Sequence, residues 1–113
     1  AHTSHSAHRL GADADKIAAV FEFETSPLFS ERERAALRLA WHGSLQPNAA
    51  EPADFEKAKE FFSEREIVEI VAVVSLFGFL NRWNDTMATK LEDSPADFAN
   101  ENLSAAGWQR GKH

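Results

Sequence analysis

The chain has 113 residues, a mass of 12.6 kDa and a net charge of −6. Its length suits a single domain, and 43% hydrophobic residues with 27% charged residues exclude wholesale disorder. An acidic chain without a basic cluster is a poor match for a nucleic-acid-binding protein or for binding to an anionic membrane. The longest apolar run, over residues 67–80, is too short to span a bilayer.

Cysteine is absent from the sequence. This excludes a disulfide scaffold, a thiolate zinc site and thiol catalysis by these 113 residues themselves. The chain starts at Ala1 in polar, histidine-rich sequence that is typical of the interior of a helix. We therefore expect a fragment that lacks its N-terminal part, with one helical domain over residues 1–113.

Glycine and proline are few and fall between segments whose apolar residues recur every three or four positions, which is typical of helices. The predicted helices run from about His2 to Leu10, from Asp13 to about Phe23, from Ser30 to about Gly43, from near Pro52 to Phe62, from Glu64 to about Ala88, and from near Ser94 to before Gly107. No segment alternates apolar and polar residues for long enough to predict a strand. The sequence thus predicts an all-α bundle of about six helices.

Two of the predicted helices begin with a capping box, in which a serine and a glutamate three residues later bind each other's backbone amides. The pairs are Ser30 with Glu33 and Ser63 with Glu66. Gly11 is well placed to end the first helix, because glycine adopts a left-handed conformation at little cost.

The longest predicted helix is apolar on two sides. On a helical wheel, one stripe points to a core and a second stripe lies opposite. The first comprises Ile67, Ile70, Val71, Val74 and Gly78, and the second comprises Leu76, Phe79, Leu80 and Trp83. A helix that is apolar all round is buried all round, and a domain of this size has little room for one. We therefore expect the second stripe to pack on another subunit; a helix enclosed within one bundle is the alternative.

Polar residues continue the core stripe at its C-terminal end: Asn81 and Asp85 follow its line, and Asn84 lies beside them. Because an unpaired buried amide is costly, we expect Asn81 to be buried and hydrogen-bonded. These three side chains either tie down neighbouring loops and helix ends or line a pocket at the end of the core, and the residues leave both interpretations open.

Three histidines, His2, His5 and His8, recur every third residue on the first predicted helix. Exposed or helix-capping histidines, a metal site and a proton-relaying catalytic histidine are the three interpretations. No carboxylate or cysteine stands beside them at ligand spacing, so a metal site is the least favoured. The remaining histidines, His42 and His113, are interpreted as incidental.

Four segments carry a resemblance to a known family. They are 30–37 (SERERAAL), 47–49 (PNA), 62–70 (FSEREIVEI) and 81–85 (NRWND). In order and spacing they resemble the carboxymuconolactone decarboxylase family, and most closely its alkylhydroperoxidase D-like (AhpD-like) branch. The resemblance extends over about residues 2–91.

The resemblance implies an all-α fold that forms homotrimers, homohexamers or another homo-oligomer. It implies thiol-dependent reduction of hydroperoxides by a Cys-x-x-Cys pair followed by a histidine, an antioxidant peroxidase activity. The partners would be a small-molecule hydroperoxide and a dithiol reductant, with no cofactor or metal, and the expected location is the cytoplasm. A glutamate upstream of the cysteines and a bound water complete the proton relay in that branch.

The family often reads Cys-x-x-Cys-x-x-His-Thr, followed by a helix that ends Arg-Leu-Gly, and residues 1–3 (AHT) and 9–11 (RLG) fit that pattern. The resemblance therefore implies that His2 is the relay histidine, with His5 as the second choice. The cysteine pair would fall just before Ala1. Asn81, Asn84 and Asp85 are the pocket-lining candidates.

Two other functions compete with the peroxidase. A carboxymuconolactone decarboxylase-like lyase would need no cysteine, which the composition favours, although residues 1–3 and 81–85 fit it less well. A non-catalytic helical module for oligomerisation or ligand binding is the other alternative. The residues that precede Ala1 would separate these functions, since a Cys-x-x-Cys pair there supports the peroxidase.

Overall fold

The computed structural model describes residues 1–111. It contains six α-helices, and the described residues form no β-strand. They are α1 (His2–Arg9), α2 (Ala14–Ala18), α3 (Glu31–Ser44), α4 (Pro52–Lys59), α5 (Glu64–Met87) and α6 (Asp93–Leu103). Short 3-10 turns follow α2 and α6, at Val20–Glu22 and Ser104–Ala106. The prediction of an all-α fold with six helices is confirmed. None of the described helices is long and apolar enough to cross a membrane.

The chain divides into two compact units. The first unit is made of Ala1–Leu28 and the described residues from Met87 onward, and the second unit is Phe29–Thr86. The assignment of residues 1–113 to one domain stays a prediction.

The first unit holds α1, α2 and α6, which contact one another. Its buried core is formed by Ile17 of α2 with Ala99 and Leu103 of α6. Phe98 and Trp108 pack against the edge of this core. The core therefore fixes α6 beside α2, while the polar α1 has no buried residue of its own.

The second unit holds α3, α4 and most of α5. Its buried core joins one residue from each helix: Leu39, Ala58 and Ile67. Phe55 and Phe62 are partly buried against it. Ala58 is fully buried, so a larger side chain at that position would force α3 and α4 apart.

Both predicted capping boxes are present. The Ser30 amide donates to Glu33 Oε2 at 2.9 Å, and the Glu33 amide donates to Ser30 Oγ at 3.2 Å. At the start of α5 the corresponding distances between Ser63 and Glu66 are 2.8 and 3.2 Å. Gly11, just after α1, has a φ of 99°, as the predicted helix end requires.

The C-terminal half of α5 differs from the prediction. Asn81 and Asp85 are exposed and Asn84 is only partly buried, so the prediction of a buried Asn81 is wrong for this chain. The physical reason is that the core of the second unit surrounds Ile67 and Ile70, about three helical turns earlier. Ile67 and Ile70 lie in this core, but the C-terminal part of the same stripe of α5 extends beyond it. Asn81 and Asp85 belong to that part and are therefore exposed.

Three of the four residues of the opposite stripe of α5 are solvent-exposed in the single chain, and Leu80 is partly buried. The solvent-exposed fractions of Leu76, Phe79 and Trp83 are 54%, 56% and 56%. The ring centroids of Phe79 and Trp83 lie 6.0 Å apart. An apolar face of this kind is the feature from which oligomerisation is predicted.

Candidate functional site

The predicted relay histidine lies at the contact of α1 with α6. His2 is the first residue of α1, and its Nε2 lies 2.6 Å from Oε2 of Glu92, the residue that immediately precedes α6. At this distance an ionised carboxylate accepts a charge-assisted hydrogen bond from the ring nitrogen. The sequence predicts His2 as a site residue but does not predict its partner Glu92, because 90 residues separate them.

Two hydrogen-bond donors stabilise the ionised form of the Glu92 carboxyl. Its own backbone amide, and then the His2 side chain, keep the pKa of the Glu92 carboxyl below its usual range. Both side chains of the pair are more than half exposed, at 56% for His2 and 71% for Glu92. Because both side chains are so exposed, the pair contributes little to stability.

The other two histidines of α1 face α6 one and two turns further along. His5 Nε2 lies 3.4 Å from the Ser94 hydroxyl, and the His5 ring centroid lies 5.6 Å from that of Phe98. The His8 ring packs on the same phenyl ring at 5.2 Å, and its Nδ1 lies 3.2 Å from the Ala12 carbonyl oxygen. Of the three, only His2 has a carboxylate partner among residues 1–111.

The five predicted site residues are divided between the two units. His2 and His5 belong to the first unit, whereas Asn81, Asn84 and Asp85 lie on α5 in the second unit. The described cavities of the second unit lie elsewhere on α5, and these three residues line neither of them.

An open apolar groove of about 420 Å³ lies between α3 and α5 in the second unit. Its walls include Ala36, Leu37, Ala40, Phe62, Ile70, Val73 and Val74. At one end the Arg32 guanidinium stacks over the Phe62 ring at 4.3 Å, and Arg32 Nη2 lies 3.8 Å from Glu66 Oε1. Most of the residues that line the groove are apolar, and the charged ones are Arg32, Glu66 and Glu69.

A second cavity, of about 270 Å³, lies among α3, α4 and α5. Its polar residues are Asn48, whose side-chain amide donates to the Gly43 carbonyl, and Ser75, whose hydroxyl donates to the Val71 carbonyl. Because these groups are already bonded within the unit, the cavity offers chiefly apolar contacts.

A histidine–carboxylate pair that the sequence does not predict joins α3 to α4. His42 Nδ1 lies 2.8 Å from Oδ2 of Asp54, whose side chain is only 5% exposed. Burial raises the pKa of the Asp54 carboxyl, but hydrogen bonds from the Glu51 amide and His42 outweigh burial and lower it overall. His42 is therefore not incidental. His113, which was interpreted in the same way, lies outside the described residues.

Among residues 1–111, no group of three or more histidine, cysteine, aspartate or glutamate side chains is placed to hold a metal ion.

Comparison with known proteins identifies relatives of this fold. No family model matches the chain. The uncharacterized protein YnjA of Escherichia coli (strain K12) is 33% identical over 81 residues, which are 72% of this chain and 44% of YnjA. The uncharacterized protein YdfG of Bacillus subtilis (strain 168) is 27% identical over 84 residues, which are 74% of this chain and 54% of YdfG.

The chain is also similar to solved structures of the debrominase Bmp8. A cysteine-to-alanine variant of Bmp8 in complex with 2,3,4-tribromopyrrole and the apo enzyme both give a TM-score of 0.82 at 38% identity. Each match covers 88% of this chain and 54% of the Bmp8 chain. The chain thus shares its helical fold with an enzyme and spans about half the length of the proteins that it matches.

Proposed function

We propose that this chain is the core of an AhpD-like protein of the carboxymuconolactone decarboxylase family, whose full-length form reduces hydroperoxides with a thiol pair. The observation that carries the proposal is the hydrogen bond between His2 and Glu92, at the start of the helix where the resemblance puts the relay histidine. The shared fold with an enzyme supports it.

The reaction needs a base beside the thiols. A thiol proton passes to the His2 imidazole, and the resulting thiolate attacks the outer peroxide oxygen, so that an S–O bond forms as the O–O bond breaks. The departing alkoxide takes a proton from the imidazolium and leaves as an alcohol. The second thiol then attacks the sulfenic sulfur, which forms a disulfide and releases water. A dithiol reductant restores both thiols by exchange.

These 113 residues contain no cysteine, so the proposal requires both thiols to come from residues outside them. In this proposal the pair falls just before Ala1, with the second cysteine close to one helical turn before His2. A thiol pair of this kind needs a reducing compartment, so we propose a cytoplasmic location. We also propose that the protein acts as a homo-oligomer.

Hydroperoxide consumption tests the proposal. The full-length protein is assayed with an alkyl hydroperoxide and a dithiol, beside its His2→Gln and His5→Gln variants. Because general acid–base help is typically worth ~10²–10⁴-fold in rate, His2→Gln should lose one to several orders of magnitude and His5→Gln little. If only His5→Gln loses activity, His5 is the relay histidine, one helical turn further along α1. If the full-length protein has no thiol pair or does not consume the hydroperoxide, the proposed peroxidase activity is refuted.

Reductive debromination is the second candidate, and the 38% identity with Bmp8 favours it. Replacing a ring bromine by hydrogen takes two electrons and a proton and releases bromide, and a thiol pair that closes to a disulfide supplies the electrons. Bromide release from a brominated pyrrole, measured with the same protein and reductant, distinguishes this activity from hydroperoxide reduction.

The decarboxylase-like lyase and the non-catalytic module are the remaining alternatives. If the full-length protein lacks cysteine and releases carbon dioxide from a carboxylated lactone, the lyase is correct. If it turns over none of these three substrates, the chain is a binding or oligomerisation module.

A further inference from the structure

We infer that Glu92 is a positioning residue for His2: its carboxylate fixes the proton on Nε2 and leaves Nδ1 as the atom that exchanges protons with a reacting group. The inference rests on the proposed function for its catalytic consequence. Its structural part stands on the contact of α1 with α6.

The geometry around His2 assigns the two ring nitrogens different roles. Nε2 points at Glu92 Oε2 at 2.6 Å, and an ionised carboxylate can only accept. Nδ1 has no hydrogen-bond partner among residues 1–111, so in the neutral ring it carries a free lone pair. The hydrogen bond from Nε2 to Glu92 therefore determines that Nδ1 is the ring nitrogen without a proton.

Nδ1 and Nε2 lie on different sides of the imidazole, so a reacting group can approach Nδ1 while Nε2 stays bonded to Glu92. The carboxylate lies beyond the ring, at the start of α6. It can therefore stabilise the imidazolium that forms when Nδ1 accepts a proton, without occupying the position of the reacting group.

The surroundings of Glu92 are suited to this role. Glu92 is the residue before α6, and its backbone is extended, with φ −66° and ψ 153°. The positive N-terminal end of α6 favours a carboxylate there. The neighbouring carboxylate, Asp93, is turned away; its side chain is 87% exposed and lies 3.9 Å from Arg110. His5, one turn along α1, faces the Ser94 hydroxyl, which carries no charge.

Nitrogen NMR of the histidine rings tests the structural part on the chain itself. In the unsubstituted chain at a pH where His2 is neutral, we expect the ring-nitrogen shifts to report a proton held on Nε2; His2→Gln assigns the signal. Glu92→Leu removes the acceptor and should return the ring to the tautomer mixture of a free histidine. Asp93→Asn removes an equal charge one residue away and should leave the shifts unchanged. Identical shifts in the unsubstituted chain and Glu92→Leu would overturn the inference.

Turnover by the full-length protein tests the catalytic part. Glu92→Gln keeps a hydrogen-bond acceptor but removes the charge, so it should lower kcat about 10-fold with little change in KM, whereas Glu92→Leu should lose more. Asp93→Asn is again the control. Full activity in a folded Glu92→Leu variant would overturn the catalytic role. If the unsubstituted protein shows no turnover, the proposed function fails, and the NMR result still decides whether Glu92 positions His2.

Discussion

At the scale of single residues, the second unit contains one buried carboxylate, which accepts hydrogen bonds from two groups. Asp54 lies in the first turn of α4, where it accepts from the Glu51 amide at 2.9 Å and from His42 at 2.8 Å. A buried acceptor that loses its partners keeps its desolvation cost, so the pair is expected to matter more than the exposed ion pairs of the surface.

We therefore expect Asp54→Ala, which leaves the Glu51 amide and His42 Nδ1 without their acceptor, to lower the free energy of unfolding by about 1–3 kcal/mol, the usual cost of an unsatisfied polar group. Glu56→Ala is the matched control, because Glu56 is a carboxylate of the same helix with a side chain 72% exposed in an ion pair with Lys59. Denaturant unfolding measures both. Equal effects at Asp54 and Glu56 would contradict the importance of burial at Asp54.

The Asp54 carboxyl also predicts how stability depends on pH. Its pKa is lowered in the folded chain, so the unfolded chain binds the proton more readily as pH falls. The stabilisation is fully present above the ordinary aspartate pKa of about 3.9, and is lost as pH falls through the folded pKa below it. Denaturant unfolding across this acidic range should show a smaller loss of stability in Asp54→Ala than in the unsubstituted chain.

At the scale of elements, the helix ends were predictable because their chemistry is local. A serine followed three residues later by glutamate identifies both partners of a capping box within one turn, and the structure has both boxes. The partners of His2 and His42 were not predictable in this way, since Glu92 and Asp54 are brought near by helix packing. The burial of Asn81 was predicted wrongly for a related reason. A helical wheel gives the direction of a side chain but not how far along the helix the core extends.

The second capping box gives a test within one helix. Ser63→Ala removes the hydroxyl that accepts from the Glu66 amide, and it should cost about 0.5–2 kcal/mol of stability. Ser75→Ala, in the middle of α5, removes a hydroxyl that donates back to the Val71 carbonyl, and it should be close to neutral. Thermal unfolding of the two variants compares them. A greater loss at Ser75 would show that the start of α5 is not held by its cap.

At the scale of the whole molecule, the exposed face of α5 bears on how the protein exists in solution. Leu76, Phe79 and Trp83, with Ala72 before them, follow the alternating three- and four-residue spacing with which one helix packs along another. Contiguous apolar patches of this kind are uncommon on monomers in water and mark interaction surfaces. Self-association through this face would cover it without any other partner.

Light scattering at micromolar concentration tests this prediction. We expect a mass that is a multiple of 12.6 kDa, and we expect a Phe79→Glu, Trp83→Glu double variant to shift the mass toward that of the single chain, because a charge cannot enter an apolar interface without a partner. Phe21→Glu is the control, since Phe21 is 63% exposed but belongs to the first unit. A stable 12.6 kDa monomer for the unsubstituted chain would refute self-association. If Phe21→Glu alone dissociates the oligomer, the contact lies in the first unit, and the apolar face of α5 has another role.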